Sequence, residues 1–164
     1  MLQRSDMYYR DIVEATLRAA GMAEPPVSVE AVAATFYVPI RQHTMPVWFA
    51  AALIYEDGLP AILLNTARPA EVRRSALAHL LGHLLIALDG ASPAFPRGAD
   101  PDHSAADFVA NELVTPAFMV RDQAGKWFND YRYLAGLFGV TEQRMFEAMR
   151  DLGIIKSRGV IWDY

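Results

Sequence analysis

An α+β fold, mostly helical with one small sheet, is predicted by three features of this 164-residue sequence. Apolar residues recur at helical spacing towards both ends of the chain. Two short strand-like runs in the first half meet at Asp57-Gly58. A long apolar helix in the middle carries two histidines four residues apart.

The elements follow in order. Ser5 to Ala20 reads as an amphipathic helix with Ile12, Val13, Leu17 and Ala20 on one face, Ser5 or Asp6 as its cap and Gly21 as its stop. "EPP" breaks the chain, and Ser28 caps a second helix, "VEAVAATF", with Val29, Val32, Ala33 and Phe36 as its apolar face. In "VWFAAALIYEDGLPAILLN" two apolar runs flank Asp57-Gly58, a dipeptide suited to tight hairpins because both positions tolerate positive φ. "VPIRQ" supplies a third strand. The expected result is a small antiparallel three-stranded sheet packed on the histidine helix.

That helix starts at Thr66 to Pro69, with Pro69 acceptable in its first turn, and runs to Leu88 before Asp89-Gly90. "ASPAFPRGADPD" reads as a loop, and a further helix runs from about Pro101 to Val114, halted by "TP". "YRYLAGLFGVTEQRMFEAMRDLGI" reads as two helices separated by Phe138-Gly139-Val140, with Thr141 capping the second. The tail "KSRGVIWDY", with Trp162 and Tyr164, has no assignable pattern. One domain is expected over 1–164: helices and sheet over 1–65, the histidine-bearing helices over 69–115 and a C-terminal helical segment over 117–155.

Composition narrows the function classes. Hydrophobic residues make up 53% and charged residues 21%, a globular balance. The net charge is −4, which argues against a nucleic-acid binder with a basic face. The chain has no cysteine, so disulfides, thiolate ligands and cysteine nucleophiles are excluded together. The N-terminal stretch alternates charged and apolar residues and does not read as a signal peptide, and the apolar run Leu84 to Leu88 is too short to span a bilayer. A cytoplasmic protein is expected.

The chemistry sits in "RRSALAHLLGHLLIAL". Four residues advance an α-helix by about 400°, so His79 and His83 project from one face and can reach a single ion. Two histidines on an apolar helix can equally be core residues with hydrogen-bonded rings. A third, His103, lies in the next helix after a Pro/Gly loop long enough to turn the chain back, and zinc hydrolases commonly take their third ligand from that place. His43, in "RQHTMP", reads as surface or structural. Gly82 leaves room for a neighbouring chain or ligand to approach closely. Zinc hydrolases also place a glutamate directly after the first histidine; here that position is Leu80.

"LNTARPAEVRRSALAHLLGHLLIALDG", "HSAADFVANELVTP" and "LAGLFGVTEQRMFEAMRDLGI" together resemble the ImmA/IrrE family of metallopeptidase-like domains, in order over roughly 62–155. The resemblance implies a zincin-like fold and a regulatory protease that cleaves a helix-turn-helix repressor in stress response or on mobile elements. By position, His79 and His83 match the family's two histidine ligands, and His103 falls where the family has a glutamate ligand. Asp107, one turn beyond, would then hold a ligand imidazole in the correct tautomer. The chain departs at both glutamates. Leu80 can neither accept nor return a proton, so no general base is assigned, and peptide hydrolysis loses a term worth about 10²–10⁴ in rate. Imidazole is still a good zinc ligand, so binding is less affected than catalysis.

Three neutral imidazoles leave the ion's double charge uncompensated, which favours hydroxide as its fourth ligand. His79, His83 and His103 are therefore expected to bind one divalent metal, Zn²⁺ first, with Ni²⁺, Cu²⁺ or Co²⁺ also suited to nitrogen donors. The leading expectation is a metal-binding domain, impaired or inactive as a peptidase, that regulates by binding a repressor-type protein. The alternative is an active zinc metallopeptidase or zinc-hydroxide hydrolase using the three-histidine site, with Asp100, Asp102 or Glu112 standing in for the missing base. "LAGLFGVTEQRMFEAMRDLG" also has the look of a helix-turn-helix, but its second helix carries Glu142, Arg144, Glu147, Arg150 and Asp151, a mixed set poorly suited to DNA, and Met145, Phe146 and Met149 read as core. Trp48, Phe49 and Tyr55 fit either a core or the edge of a binding groove.

Overall fold

The computed structural model describes residues 4–88 and 103–156, with side chains from residue 6 onward. The expected loop over "ASPAFPRGADPD", the stop at Asp89-Gly90, the helix start at Pro101, the carboxylates Asp100 and Asp102, and the tail from residue 157 lie outside the described residues. Seven helices and three strands are described: α1 (Arg4–Ala19), α2 (Val29–Thr35), β1 (Ile40–His43), β2 (Ala51–Glu56), β3 (Leu59–Asn65), α3 (Ala70–Leu88), α4 (His103–Val114), α5 (Ala117–Lys126), α6 (Tyr131–Phe138) and α7 (Glu142–Asp151). This is the α+β class read from the sequence. No described helix is long and apolar enough to cross a membrane.

Two compact units divide the chain, Ser28–Asn111 and the pair of segments Met1–Val27 and Glu112–Tyr164. In the first, Ser28 Oγ accepts from the Ala31 amide and caps α2, whose Val29, Val32 and Ala33 are buried. Asp57 and Gly58, at φ 51° and 80°, turn β2 into β3 as the dipeptide predicted. β2 and β3 pack against α3.

The sheet is mixed rather than antiparallel. Its order is β1-β3-β2, and β1 joins β3 in parallel, Ile40 opposite Ile62 through His43 opposite Asn65. The hairpin fixes β3 as antiparallel to β2, so pairing β1 with the outer side of β3 leaves the 44–50 connection to cross the end of β3. Asn65, fully buried at that end, holds the crossing. Its Oδ1 accepts from the Met45 and Ala67 amides at 2.9 Å each, and its Nδ2 donates to the carbonyls of Met45, Pro46 and Phe49 at 3.0, 2.9 and 2.7 Å. Arg68 adds a hydrogen bond to the Val47 carbonyl. The clasp turns Val47 and Trp48 to solvent, 69% and 80% exposed, so Trp48 is not a core residue.

α3 is buried almost all round from Leu77 to Ile86, as expected of a helix apolar on every face. α4 crosses it at Gly82, where an added Cβ would lie 2.5 Å from the Ala106 carbonyl oxygen. The neighbouring chain for which Gly82 leaves room is α4.

In the second unit, Val13 and Leu17 of α1, Leu113 of α4, Met119 and Val120 of α5, Leu134 and Phe138 of α6 and Met145 and Met149 of α7 are buried. Gly139 ends α6 in the left-handed region and Thr141 caps α7, as the sequence predicts, and Asp130 caps the start of α6. Phe146 is half-buried with its ring edge-on to Tyr131 at 5.5 Å. α5 falls within the helical segment expected over 117–155, although the sequence marks no separate helix at its start. Its N-cap is Pro116, which offers no side-chain acceptor, and the Ala117 amide is instead met at 3.2 Å by the Glu112 carboxylate from the end of α4. The other Glu112 oxygen accepts from Arg10 Nε at 2.9 Å.

Candidate metal centre

The α3–α4 contact places the three histidines. His79 and His83 stand one turn apart on α3, and Ala106, the residue against Gly82, lies three positions after His103 on α4. His79 Nε2 and His83 Nε2 are 3.1 Å apart, and His103 Nδ1 lies 3.3 Å from each of them. The His79 and His103 rings are nearly parallel, at 15°, while His83 crosses them at 84° and 83°. His83 is buried, His79 is half-buried and His103 is exposed, so the cluster opens outward from its deepest member.

These residues fit a metal ion. Two nitrogens at 2.0–2.1 Å from one tetrahedral ion lie about 3.3–3.4 Å from each other, close to the observed triangle. The chemistry of the donors agrees. A neutral imidazole turns either an N–H or a lone pair to a given neighbour, and three converging ring nitrogens cannot satisfy every side of a triangle among themselves. One cation at the centre accepts all three lone pairs. His79, His83 and His103 are thus close enough to hold a metal ion.

Asp107 lies 2.7 Å from His79 through its Oδ1 and the ring Nδ1. A carboxylate only accepts, so Nδ1 carries the proton and the Nε2 lone pair of neutral His79 is left for the ion. Leu80 lies next to His79 and lines the same groove. Glu112, weighed as a substitute base, is buried in the other unit and committed to Arg10 and Ala117. His43 ends β1 and is exposed, in keeping with a surface role.

The groove before the cluster has a volume of about 480 Å³ and runs along α3, past Glu71 and Ser75 to His79, with Ala50 and Ala51 on its other wall. Sequence reasoning did not find Glu71 or the role of Asn65. An exposed glutamate in a first helical turn and an asparagine after a strand carry no signal of their own. β2 is an edge strand. The Asn65 amide donates to the Ala50 carbonyl, which sets the phase of the ladder, so Ala51 and Leu53 turn their N–H and C=O groups outward, without partners among the described residues.

No family model and no curated protein matches the chain.

Proposed function

We propose that this chain is a metal-binding, ImmA/IrrE-like domain, impaired or inactive as a peptidase, that acts in regulation by gripping a repressor-type protein partner. Zn²⁺ is the proposed ion, because nitrogen donors in a tetrahedral triangle suit it and it is the usual occupant of such sites. The observation that carries the reading is the set of three ring nitrogens 3.1–3.3 Å apart with a leucine, not a glutamate, beside the first histidine. When bound, the ion supplies Lewis acidity at the head of the groove. The residues do the rest: His79, His83 and His103 would hold it, Asp107 orients His79, and the outward N–H and C=O groups of Ala51 and Leu53, without partners among the described residues, can pair with an extended segment of a partner.

Hydrolysis of a peptide needs a proton delivered to the leaving nitrogen, and Leu80 has none to give. Binding without cleavage follows. The test is incubation of purified, zinc-loaded protein with the repressor encoded beside it in its genome. A stable complex with both chains intact supports the proposal. Cleavage of the repressor would instead establish the metallopeptidase alternative, and neither complex nor cleavage would overturn both.

A further inference from the structure

We propose that the groove before the histidine cluster selects a basic side chain on an extended peptide, and that Glu71 is the residue that reads it. The inference rests on the reading of this site as a metal centre that grips a protein segment, and it names what that segment carries.

The groove's lining contains two carboxylates, Glu71 and Asp107, and neither lysine nor arginine; its one imidazole, His79, faces the metal centre. Asp107 is engaged with His79. Glu71 is exposed and has no ion pair or hydrogen bond among the described residues. Two of the nearby arginines are directed elsewhere: Arg68 donates to the Val47 carbonyl, and Arg74 interacts with Glu30. Glu71 also stands in the first turn of α3, where the helix dipole favours a carboxylate. That accounts for an acid at this position, but not for its opening onto the groove that ends at His79 without a partner among the described residues.

Spacing makes the proposal specific. Glu71 and His79 are eight residues apart on one helix, about 12 Å along its axis. An extended chain rises about 3.3 Å per residue, so the basic residue lies three or four positions from the residue over the cluster. Between them the walls are small, with Ala50 and Ala51 facing Ser75 and Ala76, and they admit a main chain with short side chains. The outward N–H and C=O groups of Ala51 and Leu53 fix the ligand as a strand.

The probe is a set of fluorescein-labelled oligo-alanine hydroxamates, each with one lysine at one to five residues from the metal-chelating end, beside norleucine and glutamate counterparts. Affinities are read by fluorescence anisotropy on the zinc-loaded full chain, its Glu71→Gln and Glu71→Lys variants, and His79→Ala. Lysine at the third or fourth position should tighten binding about two- to fivefold over norleucine, the range of an exposed ion pair. Glu71→Gln should erase that gain, and Glu71→Lys should transfer it to the glutamate peptide. Equal affinities at all positions, or a gain that survives Glu71→Gln, overturn the role of Glu71 while leaving the metal centre standing. Absence of binding by every peptide, or binding undiminished in His79→Ala, overturns the site reading and this inference with it.

Discussion

Asp107 Oδ1 stands 2.7 Å from Nδ1 of His79, on the side of the ring away from the other two histidines. The carboxylate therefore decides which nitrogen of His79 keeps its proton and holds the ring's orientation. Asp107→Ala should weaken zinc binding about 10- to 100-fold, the usual effect of removing such a partner, with the fold unchanged by circular dichroism. Competition against a chromogenic chelator measures it; an unchanged affinity would separate Asp107 from the site.

The contact of Gly82 with Ala106 predicts a second outcome. A methyl group at Gly82 would sit 2.5 Å from a backbone oxygen, which cannot rotate away. Gly82→Ala should therefore displace α4 from α3, destabilise the protein by about 1–3 kcal/mol, and move His103 away from His79 and His83. Thermal unfolding with and without zinc tests this: the parent should gain stability from the ion, by about 2.7 kcal/mol at a hundredfold excess over Kd, and the variant should gain much less. An equal gain in both would show that the close approach does not set the site.

Leu80→Glu places a carboxylate directly after His79, at the position where H-E-x-x-H zinc hydrolases carry the residue that accepts and returns a proton. If the missing base is the only obstacle, a bound partner should be cut, with a rate increase on the order of 10²–10⁴ over the parent. Mass spectrometry of the partner after incubation reads the result. A variant that binds zinc and partner but leaves the chain whole would mean that leaving-group protonation is blocked by more than one substitution.

Glu112 gives the pH prediction. Burial holds its carboxyl above the ordinary carboxylate range, outweighing the opposing pull of Arg10 and of the Ala117 amide. A carboxyl with a raised value in the folded protein keeps a proton that the unfolded chain has released. Its contribution to stability is greatest below the ordinary value of about 4.3 and falls as pH rises through the raised value. Glu112→Gln keeps an acceptor for Ala117 and removes the titration, so urea unfolding from pH 4 to 8 should show a flatter profile in the variant. Parallel profiles would rule this group out as their source.

What the sequence disclosed follows the range of the interactions. Turns and caps are local, so Asp57-Gly58, Ser28, Gly139 and Thr141 could be read directly, and the structure has them in those roles. The spacing of His79 and His83 is local as well, and a gap of twenty residues sufficed to bring His103 to them. The separate start of α5 escaped because its capping carboxylate comes from the preceding helix rather than from position 116. The parallel pairing of β1 escaped because hydrophobic alternation does not encode strand direction. Asn65 was visible only as a strand's last residue, and its five hydrogen bonds depend on where the crossing loop passes.

That loop arrives already set. Val47 and Trp48 reach solvent on a backbone held from beneath by one buried amide and from the side by Arg68. A molecule that closes on this corner meets a rigid aromatic prow rather than a chain it must first tame, and association there sacrifices little conformational freedom.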